Sequence, residues 1–279
     1  KTLSTRFNAQ HASNWHTALK YNNVHVVLIA STASSHFNLI KKIIKNNKII
    51  FCEKPLSCNL RSTKKIYELV KSSKIFFGMA LNRRFAKEYL KLKNKIDSGN
   101  IGKIETLSFV HRTFNKIGGN AKNDGGLFRD KGIHFFDLAN WFVNSKPIEV
   151  TAFGSCLIDN SFIRDKDYDT AMILIKYEND VLAQFTFGRR TSYGHEERVE
   201  IFGSKGIIHL DTFTNKKKKY DNFNIRFLSS YKKELDVFIN HILRKGRNFL
   251  FYEGYLSQLI SELAIKSIIK RKKILIPKI

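Results

Sequence analysis

The sequence has few features of an exported or membrane-embedded protein. No apolar run in its 279 residues approaches the roughly 18 that a membrane span needs, and "VHVVLIA" (24–30) has the length of a strand. The first twenty residues contain no apolar segment typical of a signal peptide. The three cysteines are odd in number and lack the spacing of a metal site. The sequence therefore argues against a membrane span and a disulfide framework, and we expect a reduced, cytoplasmic protein.

Acidic residues are scarce. There are 24 Asp and Glu against 49 Lys and Arg, which gives a formal net charge of +25. Such a charge favours contact with a polyanion, for example nucleic acid, an anionic membrane or a phosphorylated substrate. The alternative is a lysine-rich surface without such a partner, and the spread of lysine along most of the chain favours it. We therefore expect neither nucleic acid nor a membrane as partner.

The first part of the chain alternates strand-like and helix-like segments. Residues 24–30 are apolar on both faces, which is typical of a buried parallel strand. Further strands are predicted at 48–55 and 74–81, and helices at 36–47 and 61–73 separate the three. Because strand–helix–strand units form right-handed crossovers, this order predicts a parallel sheet of the nucleotide-binding type.

The pattern changes after a predicted helix at 85–97. Residues 104–113 alternate like a half-exposed strand, and two closing helices are predicted near 231–244 and 254–270. Between them, strands are predicted at 148–158, 168–177, 181–190, 197–204 and 206–211. This order favours a mainly antiparallel sheet in an α+β second half, with the boundary near residue 103.

The motif "CEKP" (52–55) ends the second predicted strand. Ligands of open α/β sheets bind at the carboxyl ends of the strands. A partly desolvated Lys54 at that edge could polarise a hydroxyl or act as an acid, and Pro55 could fix its direction. The alternative is a strand that ends in solvated charges.

A second motif, "GGLFRDKGIHFFDLANWF" (125–142), has two glycines before an apolar pattern of helical period. On an α-helix, Asp130, His134 and Asp137 would share one face. An aspartate one turn before a histidine can orient the imidazole of a general base. The alternative is a buried histidine that serves packing alone. We expect no metal, since two acids and one histidine form a weak ligand set without another His or Cys near by.

Four further stretches place polar side chains where a ligand could meet them. "STASSHF" (31–37) follows a strand directly and is interpreted as a cofactor contact, a helix cap, or both. "NRRF" (82–85) follows the third strand, and "FVHR" (109–112) carries His111. "RRTSYGHEERVEIFGSKG" (189–206) groups Arg, Tyr, His and Glu before a strand. Each stretch alone is compatible with an ordinary surface.

Taken in this order, the motifs resemble the Gfo/Idh/MocA family of NAD(P)-dependent sugar and polyol oxidoreductases. The resemblance rests on the Ser/Thr turn, EKP, NRRF, "SGNIGK", the strand that ends in His-Arg and D-x-x-x-H-x-x-D, and covers about residues 15–265. It implies a truncated Rossmann-type domain at 1–103 and an α+β domain with a large, mainly antiparallel sheet at 104–279. Within the family, "YGHEERVEIFGSKG" favours inositol as substrate. Another sugar substrate, or a non-catalytic relative unable to bind dinucleotide, is the alternative.

The resemblance also implies roles for single residues. Lys54 would polarise the substrate hydroxyl, His134 would accept its proton, and Asp130 would orient and balance His134. The cofactor would be NAD or NADP, with NAD favoured. The expected cofactor-binding residues are Ala30, Ser31, Thr32, His36, Glu53, Lys54 and Asn82. The expected substrate-binding residues are Arg83, His111, Asp130, His134 and Tyr193. A homodimer or homotetramer is expected, since the family commonly assembles through a sheet face.

The sequence departs from the family at its start. The first glycine is Gly78, so the family's phosphate-binding G-x-G-x-x-G turn has no counterpart here. We expect that about forty residues, roughly one βαβ unit, are missing. Two explanations are open. The sequence is either an incomplete record of a full enzyme, which the first residue being Lys favours, or a chain that is short in fact. Thr113, His195 and Glu196 also differ from residues frequent in bacterial relatives, which bears on the exact polyol.

Overall fold

The computed structural model describes residues 2–113, 125–164, 167–191, 194–212, 223–246 and 248–279. Within them the chain forms a three-stranded parallel sheet and, further along the sequence, a larger seven-stranded sheet. This arrangement confirms the fold class predicted from the sequence. Among the helices of these residues, none combines the length and the apolarity that a membrane crossing requires.

The first sheet has the order β1-β2-β3, with both pairs parallel. Two short helices, α1 and α2, precede it, and α3 and α4 connect its strands as predicted. Asn59 caps α4 by accepting a hydrogen bond from the Ser62 amide at 2.9 Å. The bounds of these elements are α1 Thr2–Arg6, α2 Trp15–Ala18, β1 Val26–Ile29, α3 Ala33–Ile44, β2 Ile49–Cys52, α4 Leu60–Ser72 and β3 Phe77–Met79.

The strand β1 is less buried than its sequence predicts. It is the edge of its sheet in the described residues, and Val26 and Leu28 are 39% and 52% exposed. The expectation of a strand buried on both faces was therefore wrong for this structure. Apolar side chains on both faces allow a strand to be buried on both faces. How much of the strand is actually covered depends on the elements packed against it.

A 3₁₀ turn and a helix lead from the first sheet to the second. The turn is Asn82–Phe85, which is the NRRF motif, and the helix α5 spans Lys87–Asp97. The backbone of β3 also pairs with Phe249, because the Met79 amide donates to the Phe249 carbonyl at 2.9 Å. The late part of the chain therefore returns to the first sheet.

The second sheet has the order β10-β5-β6-β7-β4-β8-β9. Its neighbouring strands are antiparallel except for β4 and β7, which run parallel. The prediction of a mainly antiparallel sheet is confirmed, whereas the parallel pair was not foreseen. The strands are β4 Ile104–Arg112, β5 Pro147–Ser155, β6 Thr170–Tyr177, β7 Leu182–Gly188, β8 Glu196–Gly203, β9 Gly206–Asp211 and β10 Ile274–Leu275.

The glycine-opened motif does not form one regular helix. Residues Leu127–Gly132 form a π-helical turn, and the α-helix α6 begins only at Ile133 and ends at Val143. Gly126 precedes the turn with φ of +82°, a left-handed conformation that favours glycine. The Leu127 amide donates to the Asp167 carboxylate at 2.9 Å, and this bond satisfies the start of the turn.

The closing helices join the two sheets. After the short helix α7 (Ser161–Arg164), α8 spans Phe223–Leu243 and α9 spans Phe251–Lys270. The α9 helix packs against α6, β5 and α4, and it is apolar over most of its circumference because it is covered on several sides. Its Gln258 accepts from the Leu56 amide at 2.9 Å and donates to the Ser57 carbonyl at 2.8 Å. The loop after β2 is thereby fixed to the second half of the chain.

Candidate active site

The EKP motif lies at the carboxyl end of β2, as its sequence predicts. The Lys54 ammonium reaches across to the π turn and donates to the Asp130 carbonyl at 2.9 Å and to Asp130 Oδ1 at 2.6 Å. Both side chains are 18% exposed, so the pair is largely buried. The contact brings two motifs that are 76 residues apart in the chain to one place.

A second cation also holds Asp130. Lys131 Nζ lies 2.9 Å from Asp130 Oδ2, so each carboxylate oxygen faces one ammonium group. Burial alone would raise the pKa of Asp130, but the charges of Lys54 and Lys131 outweigh burial and hold that pKa below its usual range. The carboxylate is therefore ionised throughout the physiological pH range.

His134 lies in the first turn of α6 and is buried. Within the described residues its Nδ1 has no hydrogen-bond partner. Burial lowers the pKa of this imidazole, and the positive charges of Arg83 and Lys54 lower it further. The ring is therefore neutral at pH 7 and able to accept a proton.

The expected contact between Asp130 and His134 is not formed in this structure. The Asp130 carboxylate pairs with the two lysines instead, and so it balances their charge rather than that of the imidazole. Asp130 lies in the π turn, whose backbone hydrogen bonds join residues five apart instead of four, and His134 lies in α6, which follows it.

Asp137, the third polar residue of the motif, points elsewhere. Its carboxylate forms two hydrogen bonds with the Arg84 guanidinium, at 2.7 and 2.8 Å. Arg84 also lies over the Trp141 ring, 5.5 Å from its centroid. Asp137 therefore fixes α6 to the NRRF turn.

A buried ion-pair cluster forms the wall beside His134. Glu197 accepts from Arg83 at 2.6 Å and from the Tyr89 hydroxyl at 2.7 Å, and it pairs with Arg226 at 2.7 Å. Burial alone would raise the pKa of Glu197, but the two guanidiniums outweigh burial and hold it below its usual range. Arg83 is 2% exposed, so its expected contact with substrate stays a prediction.

Two more histidines border this cluster. The rings of His111 and His195 lie 4.8 Å apart, and one nitrogen of each lies 3.8 to 3.9 Å from Glu197 Oε1. Burial lowers the pKa of both rings, that of His195 to about 4, so both are neutral at pH 7. These three residues could approach one cation, but both Glu197 oxygens already face guanidinium groups, which disfavours a divalent ion there. Tyr193 lies outside the described residues.

The segment after β1 borders the same edge. Ala30, Ser31 and Thr32 are exposed, and the Ser31 and Ser35 hydroxyls lie 2.6 Å apart. His36 lies beneath this exposed segment. Its ring is fully buried, and each ring nitrogen lies against a backbone carbonyl. It therefore supports this segment and is not available to contact a cofactor.

The remaining expected cofactor residues are less open. Asn82 is 2% exposed, and its amide nitrogen lies 3.5 Å from the Ser230 hydroxyl. Glu53 is half-buried, and burial raises its pKa. The Ser31 and Thr32 hydroxyls and the Lys54 ammonium lie just after the carboxyl ends of β1 and β2, where ligands of open α/β sheets bind. Their contact with a cofactor stays a prediction. No residue before Gly78 is a glycine, so none is assigned to the pyrophosphate.

Sequence reasoning missed Glu197, although a signal for it exists. Along β8 the buried positions alternate, and Glu197 shares its face with the apolar Val199 and Ile201. A carboxylate at an inward position of a strand requires a buried partner. The partners of Glu197 could not be predicted from the sequence, since Arg83 and Arg226 lie 114 and 29 residues away in the chain.

Two family models match the chain. A model described as "Oxidoreductase family, NAD-binding Rossmann fold" matches residues 1–80, and one described as "GFO/IDH/MocA C-terminal domain" matches residues 89–209. The two matches leave the position of the domain boundary open between them, and the division near residue 103 stays a prediction.

Similar proteins share most of the chain. Myo-inositol 2-dehydrogenase of Thermotoga maritima is 32% identical over 244 residues, which cover 81% of this chain and 72% of that protein. The scyllo-inositol 2-dehydrogenase (NAD(+)) of Bacillus subtilis is 30% identical over 237 residues, covering 80% of this chain and 69% of that protein. The crystal structure of a probable dehydrogenase from Thermotoga maritima superposes with a TM-score of 0.90 at 29% identity, covering 98% of this chain and 87% of that one.

Proposed function

The chain belongs to the GFO/IDH/MocA family of oxidoreductases, and we propose that it is an NAD-dependent dehydrogenase that oxidises a secondary hydroxyl of inositol to a ketone. One observation carries the proposal. The Lys54 ammonium pairs with Asp130 at the carboxyl edge of the parallel sheet, and the charge of Lys54 acts on the buried, neutral imidazole of His134. A donor for a hydroxyl oxygen and an acceptor for its proton are what this oxidation needs from the protein.

The roles assigned to these residues follow from their charges. The Lys54 ammonium donates a hydrogen bond to the reacting hydroxyl oxygen, and His134 takes the hydroxyl proton as a neutral base. When bound, NAD supplies the acceptor for the hydride that leaves the carbinol carbon. Asp130 stays ionised between two lysines, so its charge keeps the Lys54 ammonium aimed at one place.

A polyol substrate fits the neutral histidines beside the ion-pair cluster. His111 is fully buried and neither of its ring nitrogens has a hydrogen-bond partner in the described residues, while His134 Nδ1 is likewise unpartnered. Buried polar atoms without partners are unfavourable, and several hydroxyl groups on one ring can satisfy more than one of them. The named activities of the two relatives above, on myo- and scyllo-inositol, support inositol as the substrate.

NAD is the proposed cofactor. The family model that matches the first sheet is an NAD-binding one, and the name of the Bacillus subtilis relative specifies NAD(+).

We also propose that the chain assembles with a second copy through the outer face of the large sheet. Its apolar side chains include Phe153, Met172, Leu174, Leu182 and Phe202, which are 44 to 72% exposed. The strand register places Phe153 opposite Met172, so these two side chains are neighbours on that face. An apolar patch of this extent is typical of an interaction surface, and a sheet face can pair with itself about a two-fold axis.

The test of the activity is direct. The full chain is mixed with NAD⁺ and myo-inositol, and reduced cofactor is followed by its absorbance. The same assay with scyllo-inositol, with glucose and with NADP⁺ identifies the preferred pair. We expect activity with an inositol and NAD⁺, and a loss of about 10²- to 10⁴-fold in kcat for Lys54→Met.

Lys93→Met is the matched control, because Lys93 also forms an ion pair with an aspartate. Its Nζ lies 2.7 Å from Asp97 Oδ1, outside this site. Equal activity in Lys54→Met and the parent protein would contradict the assigned role of Lys54. Cofactor binding without oxidation of any polyol would contradict the proposed substrate class.

A further inference from the structure

His36 connects the two segments that border the proposed active site. Its Nδ1 lies 2.9 Å from the Pro55 carbonyl in the loop after β2, and its Nε2 lies 3.1 Å from the Ser31 carbonyl in the loop after β1. The ring is fully buried. A single side chain on α3 therefore touches both loops from behind, next to Lys54.

The two contacts are not equivalent. Both partners are carbonyl oxygens, which only accept hydrogen bonds, and a neutral imidazole has one N–H to donate. Burial lowers the pKa of His36 despite these two contacts, so the ring is neutral at pH 7. The shorter contact, from Nδ1 to Pro55, is the better hydrogen bond, and we assign the proton to Nδ1.

The other bonds of this loop leave the Pro55 carbonyl to His36. Gln258 binds the Leu56 amide and the Ser57 carbonyl from the opposite side. The segment from Pro55 to Ser57 is thus held between α3 and α9, and Lys54 extends from its start to Asp130.

We infer that His36 is a positioning residue for Lys54, which acts by donating its Nδ1–H to the Pro55 carbonyl and so fixes the backbone that directs the Lys54 ammonium onto Asp130. The inference rests on the proposed function for its meaning in catalysis. It changes the expected role of His36 from a cofactor contact to a support for the catalytic lysine.

Two substitutions separate the two contacts. The amide nitrogen of asparagine is two bonds from Cβ, as Nδ1 is, so His36→Asn keeps a donor for Pro55. The amide nitrogen of glutamine is three bonds from Cβ, as Nε2 is, so His36→Gln keeps a donor only toward Ser31. Ile40→Val is the control, because Ile40 is a fully buried residue on the same helix that contributes packing but no hydrogen bond to either loop.

The first readout needs no activity. Lys54 of the full chain is acetylated with N-hydroxysuccinimidyl acetate without cofactor or substrate, and the labelling rate is measured by peptide mass spectrometry. We expect His36→Gln to raise the rate several-fold, because an ammonium released from Asp130 is more exposed to the reagent. His36→Asn and Ile40→Val should label like the parent protein.

The second readout is kinetic. His36→Gln should lower kcat about tenfold or more while the Kd of NAD⁺ and the KM of inositol change little, since a misplaced catalytic group affects the chemical step. His36→Asn should stay within about threefold of the parent. If His36→Gln does not fold, His36→Ala, which lacks both donors, takes its place.

The outcomes distinguish this inference from the proposed function. Equal labelling of Lys54 in the Asn and Gln variants would overturn the positioning role, as would a change confined to the Kd of NAD⁺. If the parent protein oxidises no polyol while Lys54 labelling rises only in His36→Gln, the positioning role stands and the proposed function fails.

Discussion

The buried carboxylate of Glu197 gives the sharpest prediction on stability. Glu197→Ala removes the shared acceptor of Arg83, Arg226 and Tyr89, and the two arginine side chains are only 2% and 5% exposed. Breaking a buried pair by removing one partner destabilises by about 3–5 kcal/mol, because it leaves an uncompensated charge. Here one change removes the shared acceptor of two buried guanidiniums, although Arg226 keeps its pair with Glu88, so we expect a value near the upper end, about 4–5 kcal/mol.

Two further variants separate charge from hydrogen bonding. Glu197→Gln keeps the size and an acceptor oxygen but removes the charge, and we expect a loss of about 2–3 kcal/mol. Glu88→Gln is the control, because Glu88 also binds Arg226, at 3.1 Å, but is 27% exposed. Because Glu88 is partly exposed and water screens its charge, we expect its pair with Arg226 to contribute only about 1 kcal/mol. The order of destabilisation should therefore be Glu197→Ala, Glu197→Gln, then Glu88→Gln.

The assay is thermal unfolding followed by circular dichroism. For a chain of this size each kcal/mol shifts Tm by about 2–4 °C, so Glu197→Ala should lower Tm by roughly 10 °C or more. The folded-state pKa of Glu197 lies below its unfolded value, so its stabilising effect is present above about pH 4.3 and is lost as the pH falls toward the folded pKa. The Tm difference between the parent protein and Glu197→Gln should thus be constant from pH 8 to 5 and shrink below pH 4.

A Tm for Glu197→Ala within 2 °C of the parent protein would refute this reasoning. So would an equal effect of Glu88→Gln, since burial of the carboxylate would then not be the cause. A Tm difference that grows as the pH falls below 4 would contradict the assigned direction of the Glu197 pKa.

Three other predictions concern separate parts of the molecule. His134→Asn should lower kcat by about 10²- to 10⁴-fold with a small change in Tm, measured in the NAD⁺ reduction assay, because the amide cannot take a proton; an unchanged kcat would rule out His134 as the base. Met172→Asp should convert an oligomer to monomer in sedimentation velocity, and a monomeric parent protein would contradict the interface. Gly126→Ala should lower stability by about 1–3 kcal/mol more than Gly99→Ala: both have positive φ, but only at Gly126 would a Cβ meet another group, Asp167 Oδ1 at 2.7 Å.

Much of the first sheet could be predicted from local patterns in the sequence. The alternation of apolar strands with amphipathic helices predicted the parallel sheet, because each period belongs to one kind of element. The position of Lys54 near a strand end followed from the same pattern, and β2 ends at Cys52, two residues before it. The burial of β1 was not readable, because an edge strand and a central strand can carry the same apolar side chains.

The candidate site shows the limit of helical periodicity. Asp130 and His134 are four residues apart, and an α-helix would place them on one face. Asp130 lies in a π turn, and its carboxylate pairs with two ammonium groups instead, one of them 76 residues away in the chain. Neither the turn nor the partner is encoded in the spacing alone.

The sequence by itself determined the kinds of element, the fold class and the residue types that can carry a hydroxyl oxidation, since these depend on periodicity and on side-chain chemistry within short segments. Only the tertiary structure decided which charges meet. Lys54 pairs with Asp130, Asp137 pairs with Arg84, and Glu197 pairs with two arginines. Each of these pairs joins elements that are distant in the chain. The physical reason is that burial makes an unpaired charge unfavourable, so the packing of the two sheets selects partners that no local pattern can name.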